Sequence, residues 1–171
     1  MARTRLKAKG RRESGAFIPL PVSVLNHPNF YNLTPKAVKL LIDLCAQLRF
    51  KQGGTVNNGD LTTAWSIMKL RGWCSKQTLQ NALAELLHYG FLILTRQGGR
   101  NMCSLFAVTW WAIDDCNGKL DLKETRAPSN EWRHECEPWK QREKLKSLPR
   151  FPPPVDPTIG AIDNGTKAKR A

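Results

Sequence analysis

What this chain is short of narrows its chemistry first. Carboxylates are few: 14 Asp and Glu stand against 27 Lys and Arg in 171 residues, a formal net charge of +13. The sequence pI is about 9.9. That balance favours a polyanionic partner, DNA or RNA before an anionic membrane surface. Long apolar runs are missing too. No stretch approaches ~18 uninterrupted apolar residues, which sets membrane insertion aside. The opening MARTRLKAKGRRESG is basic, but no apolar run comes after it, so it does not read as a secretory signal. Only three histidines occur, His27, His88 and His134, and they are scattered. With no carboxylate pair, Ser–His pairing, P-loop or nucleotide-type glycine pattern, neither enzymatic chemistry nor a cofactor is expected.

Cysteine is present in an odd number, at 45, 74, 103, 116 and 136, with no CxxC spacing. Free thiols in a reducing, cytoplasmic setting are the expectation. Zinc modules usually supply ligands in close pairs, and His134-x-Cys136 is a poor substitute, so no metal is expected.

What is present divides the chain by charge. Residues 1–16 carry six basic side chains against Glu13 and little apolar content, which predicts a disordered basic arm. Residues 17–123 hold nearly all of the apolar periodicity, with eleven basic and six acidic residues, and are long enough for one domain with a core. From 124 to 171 the charge is mixed and RFPPPVDP interrupts any helix or ladder, so a Pro-rich tail is expected. Within it, EWRHECEPWKQREKLKSL reads as one helix or two short ones.

Inside the domain, Phe17 to Leu20 reads as a short strand and Val22 to Asn26 as a helical turn before His27-Pro28. Thr34 is placed to cap a helix with Pro35 at its first position. Ala37, Val38, Leu40, Leu41, Ile42, Leu44, Cys45 and Leu48 then cover most of that helix, which puts it at the centre of a core. QGGTVNNGD is turn-rich, with a short strand near Thr55 to Asn57. A second helix is expected from Thr62 to Leu70, ended by Gly72. Ser75 caps a third, and Gly90 stops it. Leu79, Ala82, Leu83, Leu86 and Leu87 form its buried stripe. Next, FLILTR and MCSLFAVTWW flank QGGRN as an antiparallel hairpin. Trp65 and Trp73 flank the turn at 71–74 and read as core. Trp110 and Trp111, adjacent on a strand, face opposite sides.

This order predicts an α+β fold: a winged helix-turn-helix with a three-helix core and a two-stranded β-wing. The third helix then enters the major groove of double-stranded DNA by its N-terminal front. Lys76 and Gln80 are the candidate base-edge readers, with Asn81 behind them, while Gln77 and Thr78 are candidates for phosphate. At the wing, Arg96, Gln97, Arg100 and Asn101 are candidates for backbone or minor-groove contact, with Gly98 and Gly99 allowing close approach. A second reading keeps the fold as a protein-interaction module, its basic charge serving a protein or nucleoprotein complex and its tail docking through Trp132 and Trp139. Such a fold acts either as a monomer or as a homodimer across a palindrome, and the sequence shows no apolar heptad seam.

FIPLP, with LNHPNFYNLTPKAVKLLIDL after it, resembles the opening of winged-helix proteins of bacteriophages and integrative mobile elements. CSKQTLQNALAELLHYGFLILTR resembles their recognition helix running into the wing, and SLFAVTWWAID the strand that closes it. The likeness spans about residues 17–115 and is shared by the DNA-binding part of phage replication initiators and by MarR-like regulators. It implies a DNA-binding winged helix acting in mobile-element replication or transcriptional regulation, with a phage-encoded inhibitor of a host nucleic-acid complex as the alternative. Two features depart from the pattern. Bulky Trp65 and Met68 stand where small residues are frequent, and no helicase-loader or ATPase module is evident.

Overall fold

Capping chemistry sets where the helices begin. A computed structural model describes residues 17–51 and 53–140 of the chain. The arm expected at 1–16 and the chain after Lys140, including most of the expected tail, lie outside these residues. Two short helices come first, α1 (Val22–Leu25) and α2 (Pro28–Tyr31). His27 caps α2, its Nδ1 accepting the Asn29 N–H at 3.2 Å. Helix α3 (Pro35–Cys45) starts at Thr34, whose hydroxyl accepts the Ala37 N–H at 3.3 Å, and Pro35 fills its first position.

A two-residue pair, β1 (Phe50–Lys51) and β2 (Gly54–Thr55), comes next. Then come β3 (Leu61–Thr62), α4 (Trp65–Leu70), α5 (Lys76–His88), β4 (Leu92–Arg96) and β5 (Leu105–Val108). The last two strands and β3 form an antiparallel sheet in the order β3-β5-β4. The fold class is α+β.

Helix α5 begins at Ser75, whose Oγ accepts the Thr78 N–H at 3.3 Å. It ends in a left-handed residue, Gly90 at φ +70°. There the Gly90 N–H reaches the Leu87 carbonyl at 3.2 Å and the Phe91 N–H the Leu86 carbonyl at 3.0 Å. Those two bonds close the last turn and release the chain into β4. Helix α3 packs against α5. Leu40, Leu41 and Leu44 of the one meet Leu79, Ala82 and Leu86 of the other in a single buried cluster, joined by Phe91, Leu92 and Val108 from the sheet side. Each fully buried Leu contributes roughly 1.5–3 kcal/mol relative to exposure. Leu83 and Leu87 of the expected stripe are only half-buried, and Glu85 takes a buried place instead.

Several elements differ from the sequence expectation. The helix expected from Thr62 starts at Trp65, because Leu61 and Thr62 pair with Phe106 and Leu105 of β5. Gln47 holds Thr62 from the other side, its Nε2 donating to the Thr62 carbonyl and its Oε1 accepting the Thr62 N–H, each at 3.0 Å. Two residues are too few to show a period. Phe17 to Leu20 is no strand, although Ile18 and Leu20 pack on the core. Strand β2 stops before Asn57, whose side chain turns back to the Arg49 N–H at 2.7 Å and the Gln47 carbonyl at 2.9 Å.

Two buried asparagines tie distant segments together. Asn58 accepts the Val108 N–H at 2.9 Å and donates to the carbonyls of Val108, Trp111 and Ala112. Asn29 donates to the carbonyls of Trp132 and His134, at 2.9 and 2.8 Å, and accepts the Cys136 N–H at 3.2 Å. The second of these holds a strap, residues 130–139, within the stretch read from sequence as tail. Trp132 is buried there, its ring edge-on to His27. The Trp139 N–H donates to the Tyr89 hydroxyl at 2.9 Å, and His88 Nε2 lies 2.7 Å from the Glu137 carbonyl. Of the helix expected from Glu131 onward, only a 3-10 turn at Glu131–Arg133 forms before Lys140. The described residues up to Trp139 make one compact unit, with Lys140 the last residue described. No described helix is long and apolar enough to cross a membrane.

Candidate nucleic-acid interface

The start of the short helix α4 and the N-terminal half of α5, with a turn between the two helices, line one groove. The turn is fixed from behind. Trp73 is buried, and its Nε1–H donates to Asp43 of α3 at 2.8 Å, while Lys39 Nζ bonds the same carboxylate at 2.6 Å and the Arg71 carbonyl at 2.9 Å. Glu85 anchors α5 to the start of α3, accepting the Thr34 N–H at 2.6 Å and its hydroxyl at 2.8 Å. With turn and helix both tied to α3, the front of α5 is left outward. Lys76, Gln77 and Gln80 are exposed; Thr78 and Asn81 are half-buried.

These side chains are not equivalent. Lys76 Nζ sits over the Trp65 ring, 5.8 Å from its centroid, within the range of cation–π attraction. Gln77 Nε2 donates to the side-chain Oδ1 of Asn81 at 2.9 Å, one turn along, so the two act as a linked pair. Lys76 and Gln80 line one groove of about 350 Å³, which α5 shares with Trp65 of α4 and with Cys103, Ser104 and Phe106 on or beside β5. The apolar part of its lining includes Trp65, Leu79, Leu83 and Phe106.

The hairpin residues fall into two groups. Gly99 and Met102 bridge, so the tip is the two-residue corner Arg100–Asn101, both exposed, with Asn101 at φ +64°. Asparagine tolerates that left-handed corner better than most residues. Gly98 is where the strands close: a side-chain Cβ there would lie 2.5 Å from the Ser104 backbone nitrogen. Arg96 is folded back. Its Nη2 donates to the Cys103 carbonyl at 3.1 Å and its Nη1 to the Lys119 carbonyl at 3.4 Å, while its Nε is buried without a partner among the described residues. The register shift between Leu94 and Arg96 turns it across the hairpin root. The Gln97 N–H is held by Asp121 at 2.8 Å. Arg100 and Asn101 therefore keep their sequence-expected exposure at the tip, whereas Arg96 is engaged within the hairpin.

Charge obeys the same division. Between residues 17 and 112, nine Lys and Arg face only Asp43, Asp60 and Glu85. All three acids have partners: Asp43 with Trp73 and Lys39, Asp60 with Lys119 at 2.7 Å, and Glu85 with Thr34. Sequence reasoning missed Trp65, Leu83, Ser104 and Phe106 as groove residues. Trp65 was visible beside the turn, but an aromatic there reads as core until the fold shows which side is open. Comparison with family models, curated proteins and solved structures yields no match to this chain.

Proposed function

We propose that the unit is a winged helix-turn-helix that binds double-stranded DNA, with α5 as the groove-reading helix and the β4–β5 hairpin as the wing. One observation carries the reading: α4, α5 and the hairpin frame a single open face whose only ionic group at the groove, among the described residues, is Lys76, with Arg100 at the hairpin tip. In this reading Lys76 and Gln80 meet base edges, Lys towards guanine and Gln towards adenine, and the linked Gln77–Asn81 pair stands beside them. Arg100 and Asn101 reach the sugar-phosphate backbone. The positive end of the α5 dipole adds to the attraction of phosphate. Service in mobile-element replication or transcriptional regulation is the role in keeping with the sequence resemblance.

The competing reading, a protein-docking module, needs Trp132 and Trp139 as anchors, yet Trp132 is buried and Trp139 packs on His88. Fluorescence anisotropy against a pool of random duplexes at several salt concentrations tests the DNA reading. Affinity is expected to fall steeply as salt rises, since each neutralised phosphate releases counterions. Lys76→Glu combined with Arg100→Glu is expected to weaken binding at least tenfold. Unchanged binding by that double variant would remove the groove assignment.

A further inference from the structure

The groove is half-open, and at about 350 Å³ it holds more space than reading a base edge requires. A helix front that reads a duplex presents its side chains to the groove of stacked pairs and needs no cavity behind them. Here the reading residues Lys76 and Gln80 instead line a groove of about 350 Å³. That volume lies at the low end of the range of small-molecule sites. Its lining combines an indole, two leucines and a phenylalanine with the polar residues Lys76, Gln80, Thr63 and Ser104. Among the described residues, no carboxylate lines it. A ligand suited to these walls is planar and aromatic, has both donors and acceptors on its edge, and is attached to an anion.

Resting on the DNA reading, we infer that this groove receives a single unstacked base of the bound nucleic acid, so that the preferred target is a duplex with an unpaired nucleotide. The base lies on Trp65, where stacking on an aromatic side chain is favourable for every base. Lys76, poised over the same ring in the free protein, swings aside on its flexible stem to the edge of the neighbouring base pair, where its charge also favours the flanking phosphate. Gln80, Thr63 and Ser104 meet the base edge as donors or acceptors. An unpaired or mismatched base enters at less cost than a paired one, because its unstacking is partly complete beforehand.

The test uses the full chain and two DNA duplexes alike except for one unpaired nucleotide, which is 2-aminopurine in a parallel fluorescence experiment. The expected result is binding about tenfold tighter to the duplex with the unpaired position, with 2-aminopurine emission quenched on binding. Trp65→Ala should bring the ratio of the two affinities close to one, and Trp65→Phe should retain most of the preference. Gln80→Glu, an exposed substitution that leaves the core untouched, should also reduce the preference. Equal affinity of the wild type for the two duplexes would overturn the inference and leave the DNA reading standing. So would an equal loss on both duplexes in Trp65→Ala, or a free nucleoside monophosphate that occupies the groove at micromolar concentration. Binding to neither duplex would overturn both.

Discussion

Single side chains show how tightly this small core is drawn. Cys45 lies on α3 at 1 % exposure, and burial pushes its thiol up from the ordinary 9.0 to about 12. Above pH 9 the unfolded chain gives up this proton while the folded chain keeps it, so the unfolded state binds fewer protons and stability falls as pH rises. The contribution is whole below pH 9 and is lost progressively towards pH 12, with a slope of up to about 1.4 kcal/mol per pH unit. Urea unfolding between pH 8 and 11 is expected to show this decline in the wild type and a shallower one in Cys45→Ala. Cys116, pushed up to about 11 by burial and then by the charges of Asp60 and Asp114, adds to the residual slope. Cys74 and Cys103 are exposed and are expected to react first with a maleimide in the folded protein.

Elements reveal where sequence and structure part. The caps at Thr34 and Ser75, the stop at Gly90 and the hairpin from Leu92 to Val108 are legible in the chain because each has a local chemical signature: a hydroxyl, a left-handed glycine, a change of period. Strand β3 is not, since two residues carry no period and its partner in β5 stands more than forty positions away. The groove is hidden for a related reason. Trp65, Lys76 and Phe106 meet only through the sheet order β3-β5-β4. The strap is hidden because Asn29, a buried residue with three bonds across more than a hundred positions, looks like an ordinary turn asparagine next to Pro28. Asn29→Ala leaves two carbonyls and one N–H without their partner and is expected to lower stability by about 2 kcal/mol. Limited trypsin digestion should then cut after Arg133 faster than in the wild type, while the hairpin residues keep their amide protection.

Taken as one molecule, the chain distributes its charge unevenly. Residues 17–140 hold fourteen basic and ten acidic side chains, whereas residues 1–16 hold six basic and one acidic and residues 141–171 seven basic and three acidic. Most of the net +13 thus belongs to the two ends of the sequence, and residues 17–140 contribute the smaller part. Under the DNA reading, a chain lacking residues 1–16 is expected to bind more weakly at low salt. Its slope of log affinity against log salt should flatten by as much as about five, if each of the six cations meets a phosphate. Preference among duplexes should stay unchanged, because phosphate contacts carry no sequence information directly. Anisotropy titrations from low to moderate salt check both statements.

The three partnered acids between residues 17 and 112 give the two signs of charge different tasks. Asp43 holds the turn through Trp73 and Lys39, Glu85 joins α5 to α3, and Asp60 grips Lys119, so negative charge in this region is architecture. Lys76 and Arg100 bear no comparable structural duty, so positive charge at the open face is free to vary with the partner. Under the DNA reading, a lineage carrying this protein can therefore retune affinity or change target by exchanging cations on the surface, without disturbing the folding of the frame that presents them.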